Sequence, residues 1–128
     1  SSLNPHAGEE GEIGREEIDI IIPAVKQLRK DNITVIGPLP ADTLFNKENL
    51  NEYNARLCMF HDQALIPIKT LDFFNGINFT AGLSFIRTSP DHGTAFNISG
   101  KNIANPTSLI SSIKQAKVIA KNRQSYGK

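Results

Sequence analysis

Three histidines are the residues best suited to chemistry in this chain. His6, His61 and His92 each stand in a short polar segment, and none lies on an apolar helical face. Asn4-Pro5-His6-Ala7-Gly8-Glu9 opens the chain, Phe60-His61-Asp62-Gln63 follows an apolar run, and Pro90-Asp91-His92-Gly93-Thr94 follows another. A neutral imidazole is the commonest metal ligand, and a nearby carboxylate often fixes its tautomer. Turns after strands are where α/β proteins gather ligand-binding groups. The pattern points to a polar cleft for a metal or a nucleotide.

Each candidate also has a plainer reading. Pro5 restricts the backbone and Gly8 permits a sharp turn, so the His6 ring can be held in one direction; a loop histidine bonded to a carbonyl fits the same residues. His61-Asp62 reads as a strand-end ligand beside a carboxylate, or as a helix start with Asp62 at the positive end of the dipole. Arg87, placed before Thr88-Ser89, suits a carboxylate or phosphate, and equally suits a structural ion pair. Lys69 and Asn78 are also set in apolar stretches. Their plainer readings are a solvated lysine and a loop tie. Gly93 lets a backbone approach a ligand closely, or belongs to an ordinary loop. No GxGxxG, HExxH or CxxC spacing occurs. On local chemistry alone a metal is weakly supported.

The elements that position these groups follow from periodicity. Ile18, Ile21, Ile22, Val25 and Leu28 predict a helix from Arg15 to Lys30, with Pro23 an awkward interior residue. Thr34–Ile36 reads as a short strand stopped by Gly37-Pro38, and Asp42–Leu50 as loop with one helical turn. Arg56–Phe60 reads as a buried strand delivering His61, and Cys58 within it as a small core residue. Gln63–Leu71 reads as helix despite Pro67. Asn78–Thr80 and Phe85–Thr88 are strand candidates. Asn105-Pro106 signals a helix start, with Leu109, Ile113, Ala116 and Ala120 lining one face of the helix to about Asn122. Ser125–Lys128 reads as a frayed polar tail. Strands alternating with helices indicate α/β.

At 128 residues the chain is one domain at most, or part of one. Its net charge of +1 argues against a nucleic-acid partner. No apolar run reaches the roughly 18 residues of a spanning helix, and no secretory signal opens the chain. A single cysteine fits a reducing compartment. The abrupt start at Ser1-Ser2-Leu3 suggests the C-terminal part of something longer.

Taken together, five segments in order resemble the 4-hydroxythreonine-4-phosphate dehydrogenase family of pyridoxal-phosphate biosynthesis. They are Leu3–Glu9, Gly37–Phe45, His61-Asp62-Gln63, Phe85–Ser89 and Asp91–Ala95. The stretch from His92 to Pro106 is also similar to the adenosine-binding loop of isocitrate and isopropylmalate dehydrogenases, with Asn102 in place of a glycine.

The resemblance implies a three-layer α/β/α lobe of the isocitrate/isopropylmalate dehydrogenase-like fold. Residues 1–105 would form most of that second lobe, and 106–128 a helix returning to a first lobe. A returning helix without its lobe would leave an apolar face uncovered. The resemblance further implies a divalent metal (Zn, Mg or Co) held by His6, His61 and a third histidine upstream of Ser1. The site would be shared across a homodimer. Lys69, Asn78 and Arg87 would bind a phosphorylated small-molecule substrate. Asp42 and Asp62 would orient ligands or relay protons, and His92, Gly93, Thr94, Ala95 and Asn105 would hold NAD or NADP. The implied reaction is oxidation of 4-phosphohydroxy-L-threonine followed by decarboxylation, in the cytoplasm, with neither nucleic acid nor membrane as partner. These residues alone are expected to be inactive. The competing readings are a non-catalytic fragment of that enzyme and a metal-dependent phosphoryl or acyl transferase on a related fold.

Overall fold

Pro23 decides the shape of the first helix. Proline lacks an N–H, and its ring collides with the carbonyl four residues back, so an unbroken α-helical ladder cannot run through it. In the computed structural model, which describes residues 1–126, Glu17–Ile21 widens into a π turn and Ile22–Lys30 continues as helix α1 with Pro23 in its first turn. The single helix expected from Arg15 to Lys30 is thus two joined pieces. Arg29 and Lys30 lie at its negative end. Ile21 and Val25, one turn apart, are buried, as is Leu44. Ile18 and Leu28 of the expected stripe remain about one third exposed, at 37% and 36%.

The chain divides into two units, Ser1–Pro67 and the residues from Ile68 onward. Two expected strands in the first unit do not form. Thr34–Ile36 is extended but unpaired by any ladder, and Arg56–Phe60 is irregular and not buried, with Leu57 at 75% exposure. An apolar run becomes a strand only where another edge offers ladder partners, and the described residues form one two-stranded sheet, in the second unit. Cys58 is accordingly half-buried rather than a core residue. Arg56 instead turns back on the preceding loop. Its guanidinium donates to the carbonyls of Leu44 (3.3 Å) and Asn49 and lies over the rings of Phe45 and Tyr53. The one helical turn expected there is a 3-10 turn at Asn49–Asn51.

Helix α2 runs His61–Leu71 with Pro67 inside it. Gln63 holds its start: its side-chain oxygen accepts from the N–H groups of Met59 (2.9 Å) and Phe60 (3.1 Å), and its amide donates to the carbonyl of Ser2 (3.1 Å). A side chain near the helix start that bonds back to the preceding N–H groups satisfies donors the helix leaves open.

In the second unit β1 (Ile77–Thr80) pairs antiparallel with β2 (Arg87–Pro90), Asn78 opposite Ser89 and Thr80 opposite Arg87. The second strand starts two residues later than expected, leaving Phe85 exposed. Helix α3 is Thr107–Tyr126, and the side-chain oxygen of Asn105 accepts from the Thr107 N–H at 2.9 Å. This is the cap predicted from Asn105-Pro106. The helix runs past the expected end at Asn122; of the expected frayed tail, Gly127 and Lys128 lie outside the described residues.

Helix α3 meets the hairpin through its serines. Leu109 and Ile113 are exposed, whereas Ser108 and Ser112 are buried. The hydroxyl of Thr88 donates to the Ser112 carbonyl (3.0 Å), and Ser108 Oγ bridges the Gly76 carbonyl (3.1 Å) and the Asp91 N–H (3.3 Å). Small hydroxyl side chains let the helix approach the hairpin closely and satisfy strand-end groups that leucine would leave bare. Arg123 fastens the far end through the carbonyls of Leu83 and Ser84. No described helix is long and apolar enough to cross a membrane.

Candidate functional site

His6 lies in a left-handed turn. Pro5–Gly11 is a 3-10 element in which His6, Ala7, Gly8, Glu9 and Glu10 all have positive φ, from 43° to 81°. Four of these five carry a Cβ, and the left-handed basin disfavours such residues by roughly 1–2 kcal/mol each. Something must hold the turn, and Glu17 does. It is 1% exposed. Its Oε1 accepts from the N–H groups of Leu3 and Asn4, both at 2.7 Å, and its Oε2 from the Asn4 side-chain amide at 2.8 Å. The second hydrogen of that amide reaches Glu16 Oε2 at 2.7 Å. Burial pushes the Glu17 carboxyl upward, but the hydrogen bonds from Asn4 and Leu3 outweigh it, so its pKa lies below the ordinary 4.5. The Asn4 amide likewise lowers that of Glu16.

Two glycines make room for this brace. A Cβ on Gly8 would stand 2.7 Å from the Gly14 carbonyl and 2.8 Å from Glu17 Oε2; one on Gly14 would stand 2.4 Å from the Asn4 amide nitrogen. On sequence an acid near a helix start, such as Glu17, reads only as favourable to the dipole. No local pattern announces that an acid thirteen residues downstream accepts from the Asn4 backbone.

His6 Nδ1 lies 2.6 Å from Glu9 Oε1, so its partner is a carboxylate rather than a carbonyl. His61 is the exposed first residue of α2, with Asp62 in the first turn; the helix-start reading is the one the backbone adopts. Asp42 is exposed in the turn after Pro40. The chemistry of the donor set fits part of a metal site: two imidazoles, with Nε2 of His6 turned away from its carboxylate bond. Among the described residues no group of three or more His, Cys, Asp or Glu side chains could hold a metal by itself.

In the second unit, the antiparallel register puts Asn78, Thr80, Arg87 and Ser89 on one face of the hairpin, while Thr88 on the other meets α3. Arg87 Nη1 donates to Thr80 Oγ1 at 2.9 Å and is exposed. Asn78 and Arg87 therefore share a polar surface. Lys69 is not simply solvated. Its Nζ pairs with Asp91 Oδ2 at 3.1 Å, donates to the Asp91 carbonyl, and lies over the Phe73 ring at 5.1 Å.

A cavity of about 660 Å³ opens between the Phe73-Phe74 edge-to-face pair, the loop from His92 to Asn105 and the start of α3. His92, Gly93, Thr94, Ala95 and Asn105 all line it. A Cβ on Gly93 would meet no atom within 4 Å, so its backbone is open to an approaching group. Asn102 has φ 52°, the left-handed conformation that asparagine tolerates best after glycine. The replacement of glycine there leaves a left-handed turn available.

The family described as pyridoxal phosphate biosynthetic protein PdxA matches residues 1–116. A curated relative from Caulobacter vibrioides, named 4-hydroxythreonine-4-phosphate dehydrogenase, is 58% identical over 96% of this chain and 37% of its own length. One of the same name from Zymomonas mobilis is 56% identical over 98% of this chain and 38% of its own. The chain thus spans little more than a third of these relatives. Among solved structures, 4-hydroxythreonine-4-phosphate dehydrogenase from Klebsiella pneumoniae superposes with a TM-score of 0.77 and 49% identity, covering 90% of this chain and 35% of that one. A terephthalate 1,2-cis-dihydrodiol dehydrogenase from Burkholderia xenovorans superposes with a TM-score of 0.64 and 36% identity, covering 90% and 36%.

Proposed function

This chain belongs to the PdxA family of pyridoxal phosphate biosynthetic proteins, and on that premise we propose that it carries part of the active site of a 4-hydroxythreonine-4-phosphate dehydrogenase. The reaction is NAD- or NADP-dependent oxidation of 4-phosphohydroxy-L-threonine to a 3-oxo acid, which decarboxylates to 3-amino-2-oxopropyl phosphate. The observation that carries this reading is the gathering of all five expected cofactor residues around one cavity. Its volume lies in the range of small-ligand pockets.

His92, Gly93, Thr94, Ala95 and Asn105 hold the dinucleotide, with the bare Gly93 backbone admitting it closely. The nicotinamide, when bound, accepts the hydride. His6 and His61 hold a divalent cation, Zn, Mg or Co, together with a histidine outside this chain. That cation, when bound, acts as a Lewis acid toward the substrate's reacting oxygen. Arg87 and Asn78, diagonal neighbours on one face of the hairpin, bind and orient an anionic group of the substrate. Lys69 joins them by exchanging its Asp91 contact for substrate. Asp42 and Asp62 are the carboxylates available to hold a proton or orient a ligand. The lobe is read as three-layer α/β/α, of the isocitrate/isopropylmalate dehydrogenase-like type, from residues 1–105. Residues 106–128 return to a first lobe, and a cytoplasmic homodimer shares the metal site.

The test is NAD(P)H formation by the full-length protein given the phosphorylated hydroxythreonine and a divalent cation. Arg87→Ala is expected to lower kcat/KM by about 10- to 100-fold, since a charged hydrogen bond contributes about 1.5–3 kcal/mol. Unchanged kinetics would remove Arg87 from the site. Turnover of a cis-dihydrodiol in place of the phosphorylated substrate would move the chain to the other dehydrogenase class it resembles.

A further inference from the structure

We propose that Glu9 is a positioning residue for the metal site: its carboxylate fixes the ring direction and tautomer of His6 so that Nε2 is presented to the cation. The inference deepens the functional reading above and rests on its assignment of His6 as a ligand.

Two observations meet here, a contact and the backbone that makes it. The first is the contact of 2.6 Å between His6 Nδ1 and Glu9 Oε1. A carboxylate only accepts, so the neutral ring must carry its hydrogen on Nδ1, which leaves the lone pair on Nε2. That is the arrangement by which carboxylates orient histidine ligands of metals and raise their basicity. The second is the left-handed turn. With three residues per turn, positions i and i+3 eclipse, so the turn at His6–Glu10 stacks Glu9 on His6. In extended chain, side chains three apart point to opposite sides.

Stability does not account for the pair. The two side chains are 64% and 52% exposed, and exposed ion pairs add little to folding. Yet the backbone around them sits in a disfavoured basin, and the segment that leads into it is fastened by a buried carboxylate, Glu17, packed against Gly8. Strain maintained by its surroundings and yielding little stability is the pattern found at ligand-binding sites.

The experiment is Zn²⁺ titration of the full-length protein by calorimetry, with ¹⁵N-detected histidine tautomers read in the metal-free state. Glu9→Ala should weaken Zn²⁺ binding about 10- to 100-fold, shift His6 away from the Nδ1–H tautomer and leave the melting temperature unchanged. Glu9→Gln, whose amide oxygen still accepts, should fall between. If Glu9→Ala lowers the melting temperature, Glu9→Gln carries the comparison. Wild-type affinity and an unchanged tautomer in both variants overturn the proposal. His6→Ala separates the two claims. Loss of Zn²⁺ in His6→Ala, with full retention in the Glu9 variants, sinks only the role of Glu9. Retention in His6→Ala sinks the ligand assignment and the positioning role together.

Discussion

Gly8 lies two residues from His6 and Gly93 next to His92, and the surroundings of the two glycines are opposite. Around Gly8 the protein is filled: a buried carboxylate and a backbone carbonyl occupy the space a side chain would need. Around Gly93 the same space is empty. The first turn is packed, which suits the proposed holding of one imidazole in one direction. The second loop is bare, which suits the proposed approach of backbone to a ligand. A direction has to be enforced by packing, whereas an approach requires its absence.

The sharpest way to break the braced side is to remove its acceptor. Glu17→Ala leaves three donors, from Leu3 and Asn4, without their partner, and should destabilise the protein by about 3–5 kcal/mol, read from chemical denaturation. A loss below 1 kcal/mol would mean the turn holds itself. Gly8→Ala combines a positive φ of 81° with a clash, and should cost about 2–4 kcal/mol. The identical change at Gly93 should alter stability by less than about 0.5 kcal/mol while lowering dinucleotide affinity about tenfold, a shift of roughly 1.4 kcal/mol. Equal melting temperatures for the two alanine variants would erase the contrast.

The smallest effect is in acid. The Glu17 pKa is held below 4.5 in the folded chain, so the unfolded chain binds the proton more readily. Its contribution to stability is present above about pH 4.5 and is lost as pH falls through the lower folded value. Glu17→Gln should flatten that part of the acid transition, and an unaltered profile would remove Glu17 as its source.

The second unit was more legible in the sequence than the first. The Asn105 cap, the start of α3 and the two strands near Asn78 and Arg87 are local signals, and the structure forms them with shifts of one or two residues. The five proposed cofactor positions lie within fourteen residues, so one loop suffices to bring them to one cavity. Hydrophobic periodicity marks the exposed Leu109 and Ile113 face of α3 and is silent on the packed one, where the hairpin rewards Ser108 and Ser112 with hydrogen bonds. The strands expected at Thr34–Ile36 and Arg56–Phe60 had apolar residues but no edge to join. Pro23 announced a break, not that it would be absorbed by a π turn delivering Glu17 to the N-terminal segment. Least legible was the turn at His6: Ala7, Glu9 and Glu10 favour ordinary helix, and only contacts from distant residues reverse them.

That reversal inverts the stereochemistry the segment prefers. At Ala7, Glu9 and Glu10 the backbone occupies the basin natural to a D-amino acid, so the mirror-image residue would be the relaxed one and the genetically encoded enantiomer the strained one. Glycine, lacking chirality, is indifferent, and elsewhere in a helical turn it would be the poorer choice. For these few residues the usual ranking of helix formers runs backwards, and a substitution chosen to improve local propensity would loosen the turn it was meant to strengthen.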